Sequence, residues 1–226
     1  MLRIVTLYVL ALALSACSTV NSHLAEKTQQ VEYYRIFDIK TQGKRSEVIK
    51  AASTGLAKNV GDAREAMPIP SFSTPPEQPG RFQVVDQSQQ FQGNLGALMA
   101  MRNRGGGSLG LKAAQCDGAV WTANANKHVK NSWNLNLTSC LFEYKDGYHL
   151  DMYAHFTKET GGLLQVSRAM ANAMVGSPEE WVEKTFLDVV RTVNQKVDSE
   201  VSFLEGYPEM QGTPWLDAGK DLAAAK

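Results

Sequence analysis

The sequence predicts an α+β fold in which an antiparallel sheet packs against a long C-terminal helix. Three observations predict it. Apolar residues alternate with polar ones along Gln115–Asn124, Trp133–Leu141 and Tyr148–Phe156. Asp146-Gly147 separates the last two runs, and Asp-Gly between alternating runs marks a hairpin. Ser177-Pro178-Glu179-Glu180 then opens a stretch with helical apolar spacing. A sheet with one apolar face and an amphipathic helix must bury each other.

The N-terminus sets the context for these elements. Met1-Leu2-Arg3 is a short positive start, and residues 4–14 are apolar. That run is too short to span a bilayer and ends in small residues, as a signal peptide does. Leu14-Ser15-Ala16-Cys17 resembles the lipobox of bacterial lipoproteins in residue types, order and position. The resemblance covers residues 1–17 only. It implies cleavage after residue 16, a diacylglyceryl group on Cys17, and acylation (palmitate) of its amine. Ser18 follows Cys17. An Asp there would resemble the inner-membrane retention signal, so its absence implies an outer-membrane anchor facing the periplasm. Two or more acyl chains make such anchoring stable.

The remaining cysteines fit this compartment. The chain has 3 Cys, so lipidation of Cys17 leaves Cys116 and Cys140, an even number where disulfides persist. The 23 basic and 23 acidic residues cancel, which gives no argument for nucleic acid as a partner.

Residues 17–30 are polar after the cysteine and read as a tether, with His23 solvated. A single domain is expected over residues 31–205, followed by an irregular tail, 206–226. Residues 31–40 (VEYYRIFDIK) are a strand by composition, with Tyr34, Ile36 and Phe37 as inward candidates. Ser46 is a candidate cap for a helix running to about Asn59, with Val48, Ile49, Ala52, Leu56 and Val60 on its buried stripe. Gly55 weakens that helix by about 1 kcal/mol relative to Ala. Residues 67–80 carry Pro68, Pro70, Pro75, Pro76 and Pro79 and must be extended. They form either a surface crossover or a groove ligand for a partner. A short strand over 81–86 and a brief helical turn over 95–101 follow.

The meander is the expected centre. A two-residue loop at Asp146-Gly147 puts Lys145 opposite Tyr148, Leu141 opposite Met152 and Leu137 opposite Phe156. The apolar sets then share one face. Phe142, Tyr144, His149, Asp151, Tyr153 and His155 fall on the other, which reads as solvated. A turn over residues 124–131, centred on His128, places Trp121 opposite Leu135, Ala119 opposite Leu137 and Cys116 opposite Cys140. Opposed strand residues lie about 4.5–5.5 Å apart at Cα, within disulfide range. A Cys116–Cys140 disulfide is therefore expected.

After Gly161-Gly162, residues 163–175 read as a helix that includes Met170 and Met174. From Pro178, the stripe Val182, Phe186, Val189, Val193, Val197 and Val201 extends the last helix. The whole arrangement resembles a helix-grip fold, as in START-like lipid carriers and some lipoprotein subunits of outer-membrane assembly machinery. That likeness is one of architecture and implies no site residues.

No motif carries chemistry with its required context. Gly106-Gly107-Ser108-Leu109-Gly110 matches a nucleophile elbow, but Arg102-Asn103-Arg104 stands where a buried strand is needed. Ser108, His149, Asp151 and His155 are thus weak catalytic candidates. His149 and Asp151 are close enough to share a metal; His149 and His155 are about 20 Å apart along a strand and are not. No dinucleotide or other cofactor motif occurs.

Three functions remain. The first is a non-enzymatic envelope accessory anchored through its lipid and bound to an envelope protein. The second is a carrier of an apolar ligand between sheet and helix, lined by Met152, Phe156, Met170, Met174 and Phe186. The third is a small serine hydrolase using Ser108.

Overall fold

The computed structural model describes residues 27–86, 112–129, 133–160 and 176–216. Cys17, Ser108 and the helix expected over 163–175, with Met170 and Met174, lie outside the described residues. The elements in chain order are β1 (Lys27–Lys40), α1 (Arg45–Ala57), β2 (Arg64–Ala66), β3 (Gln83–Asp86), β4 (Lys112–Gln115), β5 (Trp121–Val129), β6 (Trp133–Tyr144), β7 (Gly147–Thr160), α2 (Pro178–Lys196) and β8 (Glu200–Tyr207). Six strands form one antiparallel sheet in the order β2-β5-β6-β7-β1-β8, and β3 pairs with β4 separately. The fold is the expected α+β arrangement.

Both helices lie on one face of the large sheet. Phe37, Trp121, Leu137, Leu141, Leu150 and Met152 bury there against Leu56, Val182, Phe186 and Val190. Helix α2 starts where its sequence requires. The Ser177 hydroxyl accepts from the Glu180 amide at 3.1 Å, and the Glu180 carboxylate accepts from the Ser177 amide at 3.0 Å. These bonds satisfy helix-end amides that otherwise lack partners. Its stripe stops earlier than the apolar spacing suggests. Val197 is an extended C-cap, and Val201 belongs to β8 instead. Helical and strand spacing coincide for a Val four residues on, so periodicity alone does not locate the break.

Helix α1 corrects the reading of its cap and gives Gly55 a reason. Lys44 occupies the N-cap without a side-chain bond, and Ser46 lies inside the first turn. Gly55, costly to the isolated helix, is where α1 meets α2. A Cβ there would stand 2.6 Å from Val189 Cα and 2.8 Å from the Asp188 carbonyl oxygen. The missing side chain permits the close crossing.

The hairpin register is shifted by two residues from expectation. Tyr144 pairs with Gly147, so Lys145 and Asp146 form the loop; Leu141 meets Leu150, and Leu135 meets Phe156. Gly147 serves a neighbour rather than the turn centre. It has φ +152°, and a Cβ would fall 2.0 Å from the Ile39 carbonyl oxygen on β1. A shift of two preserves facing, which is why the apolar set remains correct.

The β5–β6 register is shifted by more. Trp121 pairs with Leu141, Thr122 with Cys140, and Ala125 with Leu137. The polar residues 124–129, read as a turn, are strand. Their side chains match across the ladder: Thr138 donates to Asn124 at 2.9 Å, Asn126 lies opposite Asn136, and His128 bonds Asn134.

The fold also continues past residue 205. Strand β8 runs to Tyr207 along β1, with a bulge between its pairs at Ile36 and Phe37. Beyond it, Arg35 donates to the Pro208 carbonyl at 2.6 Å. Arg191 donates twice to the Pro214 carbonyl, at 3.0 and 2.7 Å. Trp215 buries edge-on against Phe37 and beside Phe203, and its indole donates to the Val201 carbonyl at 3.3 Å. The Gly and Pro content of this segment suggests irregular chain, and irregular it is, but it is held.

Candidate functional site: the covered polar face

The second face of the sheet presents Tyr34, Ile36 and Asp38 from β1, Cys140 and Phe142 from β6, and His149, Asp151 and Tyr153 from β7. Of these, Phe142, His149, Asp151 and Tyr153 were expected to be solvated, and Tyr34 and Ile36 to face inward. Instead Ile36, Phe142 and Tyr153 bury against Phe82 and Ala119, with Tyr34, Ala114 and Cys116 packed around them. The cover consists of residues 80–86 and 112–119. Aromatic residues on a strand face demand burial as strongly as aliphatic ones do, and interleaved polar groups do not cancel that demand.

Several ties hold the cover down. Phe82 packs on Tyr34 and Tyr153, with ring centroids 6.0 and 5.7 Å apart. Gly80 lies so close to Phe142 that a Cβ would stand 2.7 Å from the ring. Arg81 pairs with Glu205 of β8, and Lys112 pairs with Glu32 of β1. The covalent tie is the disulfide between Cys116 and Cys140, with Cα atoms 5.9 Å apart. The expected pair of cysteines is therefore joined, though not across neighbouring strands. Cys116 sits in the turn after β4, where the Ala119 amide returns to its carbonyl at 3.1 Å. It reaches Cys140 from above the face, while Thr122 and Asp151 take the two places beside Cys140.

Asp151 lies under this cover with 0% exposure. Its Oδ2 accepts from the Phe82 amide at 3.1 Å. Its Oδ1 has no hydrogen-bond partner among the described residues. Burial pushes its carboxyl up to about 7, against the opposing effects of the Phe82 amide and Arg81. Asp38 lies opposite His149 and accepts from the Tyr144 hydroxyl at 2.7 Å. The His149 Nε2 stands 3.7 Å from Asp38 Oδ1. Burial holds His149 below the usual imidazole range, with Asp38 opposing. His155 is further along the row, its Nε2 3.0 Å from the Asn136 amide.

The structure thus brings His149, Asp151 and Tyr153 under one cover and adds Asp38, Tyr144, Arg81 and Phe82. Sequence reading already placed Tyr144 on this face and missed Asp38, Arg81 and Phe82 because they arrive from other elements. A signal for Asp38 does exist: an acid set directly among Ile36, Phe37 and Ile39. No three His, Cys, Asp or Glu side chains among the described residues converge to hold a metal ion. What the row offers chemically is a carboxyl that burial pushes toward its neutral form, beside an imidazole whose protonation burial disfavours.

On the helix face, Met152, Phe156 and Phe186 are fully buried within the packed core. They spend their surfaces on neighbouring side chains, as core residues do. An open depression of about 540 Å³ lies instead at the end of β1 and α2, and Lys40, Glu47, Lys196, Asp198 and Glu200 give it charged walls.

No family model matches the chain. No curated protein matches it either. Among solved structures, a hypothetical protein from Helicobacter pylori is similar over 76% of this chain and 88% of that one, at 7% identity and a TM-score of 0.19; a likeness at that level carries no argument.

Proposed function

We propose that this protein is a lipid-anchored accessory of the bacterial outer membrane, facing the periplasm, that binds another envelope protein and performs no catalysis. The observation that carries the reading is the proline-rich crossover after β2. Ile69 is 94% exposed and Met67 is 70% exposed. Residues 67–80 form no strand and bend repeatedly beyond residue 70, a departure from the extended run expected of them, and they are fixed at their far end by the Lys145 amide on the Pro76 carbonyl at 2.9 Å and by the Lys145–Glu77 ion pair. A segment whose prolines fix φ and whose apolar side chains project loses little conformational freedom on docking. The lipobox resemblance and a six-stranded, disulfide-stapled fold suit an anchored protein in an oxidising compartment.

The test is site-specific photocrosslinking from position 69 in intact cells. The reading expects one discrete adduct, lost in a Met67→Asp variant that keeps its fold and lost again in Cys17→Ala, which removes the anchor. Absence of an adduct from position 69, together with full recovery of the protein at the outer membrane, contradicts it.

A further inference from the structure

We propose that the cover over the polar face is a pH-responsive flap, seated while Asp151 carries its proton and released from β7 when Asp151 ionises. The inference does not depend on the lipid anchor or on the Pro-rich docking segment.

The geometry is an asymmetric pair of ties on directly paired residues. Cys140 and Asp151 lie opposite one another on β6 and β7. Cys140 is bonded covalently to Cys116 at the β4 end of the cover. Asp151 holds the β3 end through one hydrogen bond from the Phe82 amide. One end of the cover is therefore covalent, and the other rests on non-covalent contacts: the Phe82 ring on Tyr34 and Tyr153, the Arg81–Glu205 pair, and the Phe82 amide on the titratable Asp151.

Among the described residues, the surroundings of Asp151 supply no free cation. From the cover, Arg81 is already paired with Glu205 of β8. From β6 the opposed residue is a disulfide-bonded cysteine, and from β1 it is Ile36, between Tyr34 and Asp38. On β7 itself the flanking groups of the row are His149, whose protonation burial disfavours while Asp38 opposes, and the Tyr153 phenol, held protonated by burial. An ionised carboxylate enclosed with one neutral donor is poorly solvated, and lifting the cover returns it to water.

The sign follows from burial pushing the Asp151 carboxyl from 3.8 up to about 7. The seated state holds the proton in that window, and the open state does not. Below the ordinary carboxyl value both states are protonated and seating is insensitive to pH. As pH rises toward 7, each unit favours opening by up to about tenfold, and above 7 the effect levels off. Between pH 5 and pH 8 the open fraction rises by up to about a hundredfold.

Hydrogen exchange on the full chain in detergent micelles, corrected for intrinsic exchange rates, reads this directly. Protection of the Phe82 amide is expected to fall by up to about a hundredfold from pH 5 to pH 8. Amides of β6 and α2 are expected to keep theirs. In Asp151→Asn, which preserves shape without ionising, the Phe82 protection is expected to be flat with pH. Flat protection in the wild type, an equal fall in Asp151→Asn, or a parallel fall in β6 and α2 would each overturn the proposal. Should Asp151→Asn not fold, the carboxyl carbon of Asp151 is titrated by NMR in the wild type. A midpoint near 7 supports the flap, and one near the ordinary 3.8 overturns it.

Discussion

The two faces of the large sheet are buried by different means. The helix face is mainly aliphatic and aromatic, and α1 and α2 cover it chiefly through side-chain packing, with the buried Arg35 paired to Glu183 of α2 among it. The opposite face is a row of aromatics alternating with Asp38, Cys140, His149 and Asp151, and short strands, a disulfide and surface ion pairs hold its cover. The first face is stabilised by area. The second is stabilised by a few discrete ties, each of which a single substitution can remove. Alternation along a strand says which residues share a face, and says nothing of whether the more polar face meets water.

The largest expected effect falls on the helix face. Phe186→Ala removes a fully buried ring at the centre of that core, and a loss of about 3–5 kcal/mol is expected in denaturant unfolding. A loss below about 1 kcal/mol would show that α2 is not packed as described.

Next comes the covalent tie of the other face. Cys116→Ser with Cys140→Ser opens a loop of 24 residues and is expected to cost about 3 kcal/mol. The distinguishing result is where the loss falls. Hydrogen exchange should quicken in β3 and β4 far more than in α2. Equal loosening of both faces would break the comparison.

Gly55→Ala sharpens it from the helix side. Helix propensity alone favours Ala by about 1 kcal/mol. The backbone of α2 at Val189 and Asp188 blocks the new methyl, so a net loss of about 1–3 kcal/mol is expected. A stabilised variant in thermal unfolding would mean the two helices do not cross there.

These contrasts also explain which parts of the fold were legible in the chain. The capping box at Ser177 and the apolar sets of β6 and β7 depend on local spacing, and they stand as read. Registers failed by even numbers, two at the hairpin and six between β5 and β6, because parity is written in side-chain alternation while pairing depends on the partner. The Asn124–His128 stretch looked like a turn since its ladder of polar partners on β6 is not visible locally. Strand β8 was hidden by valines that fit a helix as well as a strand. The disulfide pair was legible from cysteine count and compartment, yet its geometry was not, because the cover that carries Cys116 has no periodic signature. Asp151 was on the right face for a site, and only the cover explains why it is buried.

The covered second face is the central claim, and oxidative footprinting of tyrosines tests it most directly. Tyr153 is 2% exposed beneath the cover, and Tyr207 at 59% is an internal reference for an open ring. With the disulfide intact at pH 5, Tyr153 is expected to be labelled far more slowly than Tyr207, and reduction of Cys116–Cys140 is expected to narrow the gap. Labelling of Tyr153 at the rate of Tyr207 in the oxidised protein would contradict the account.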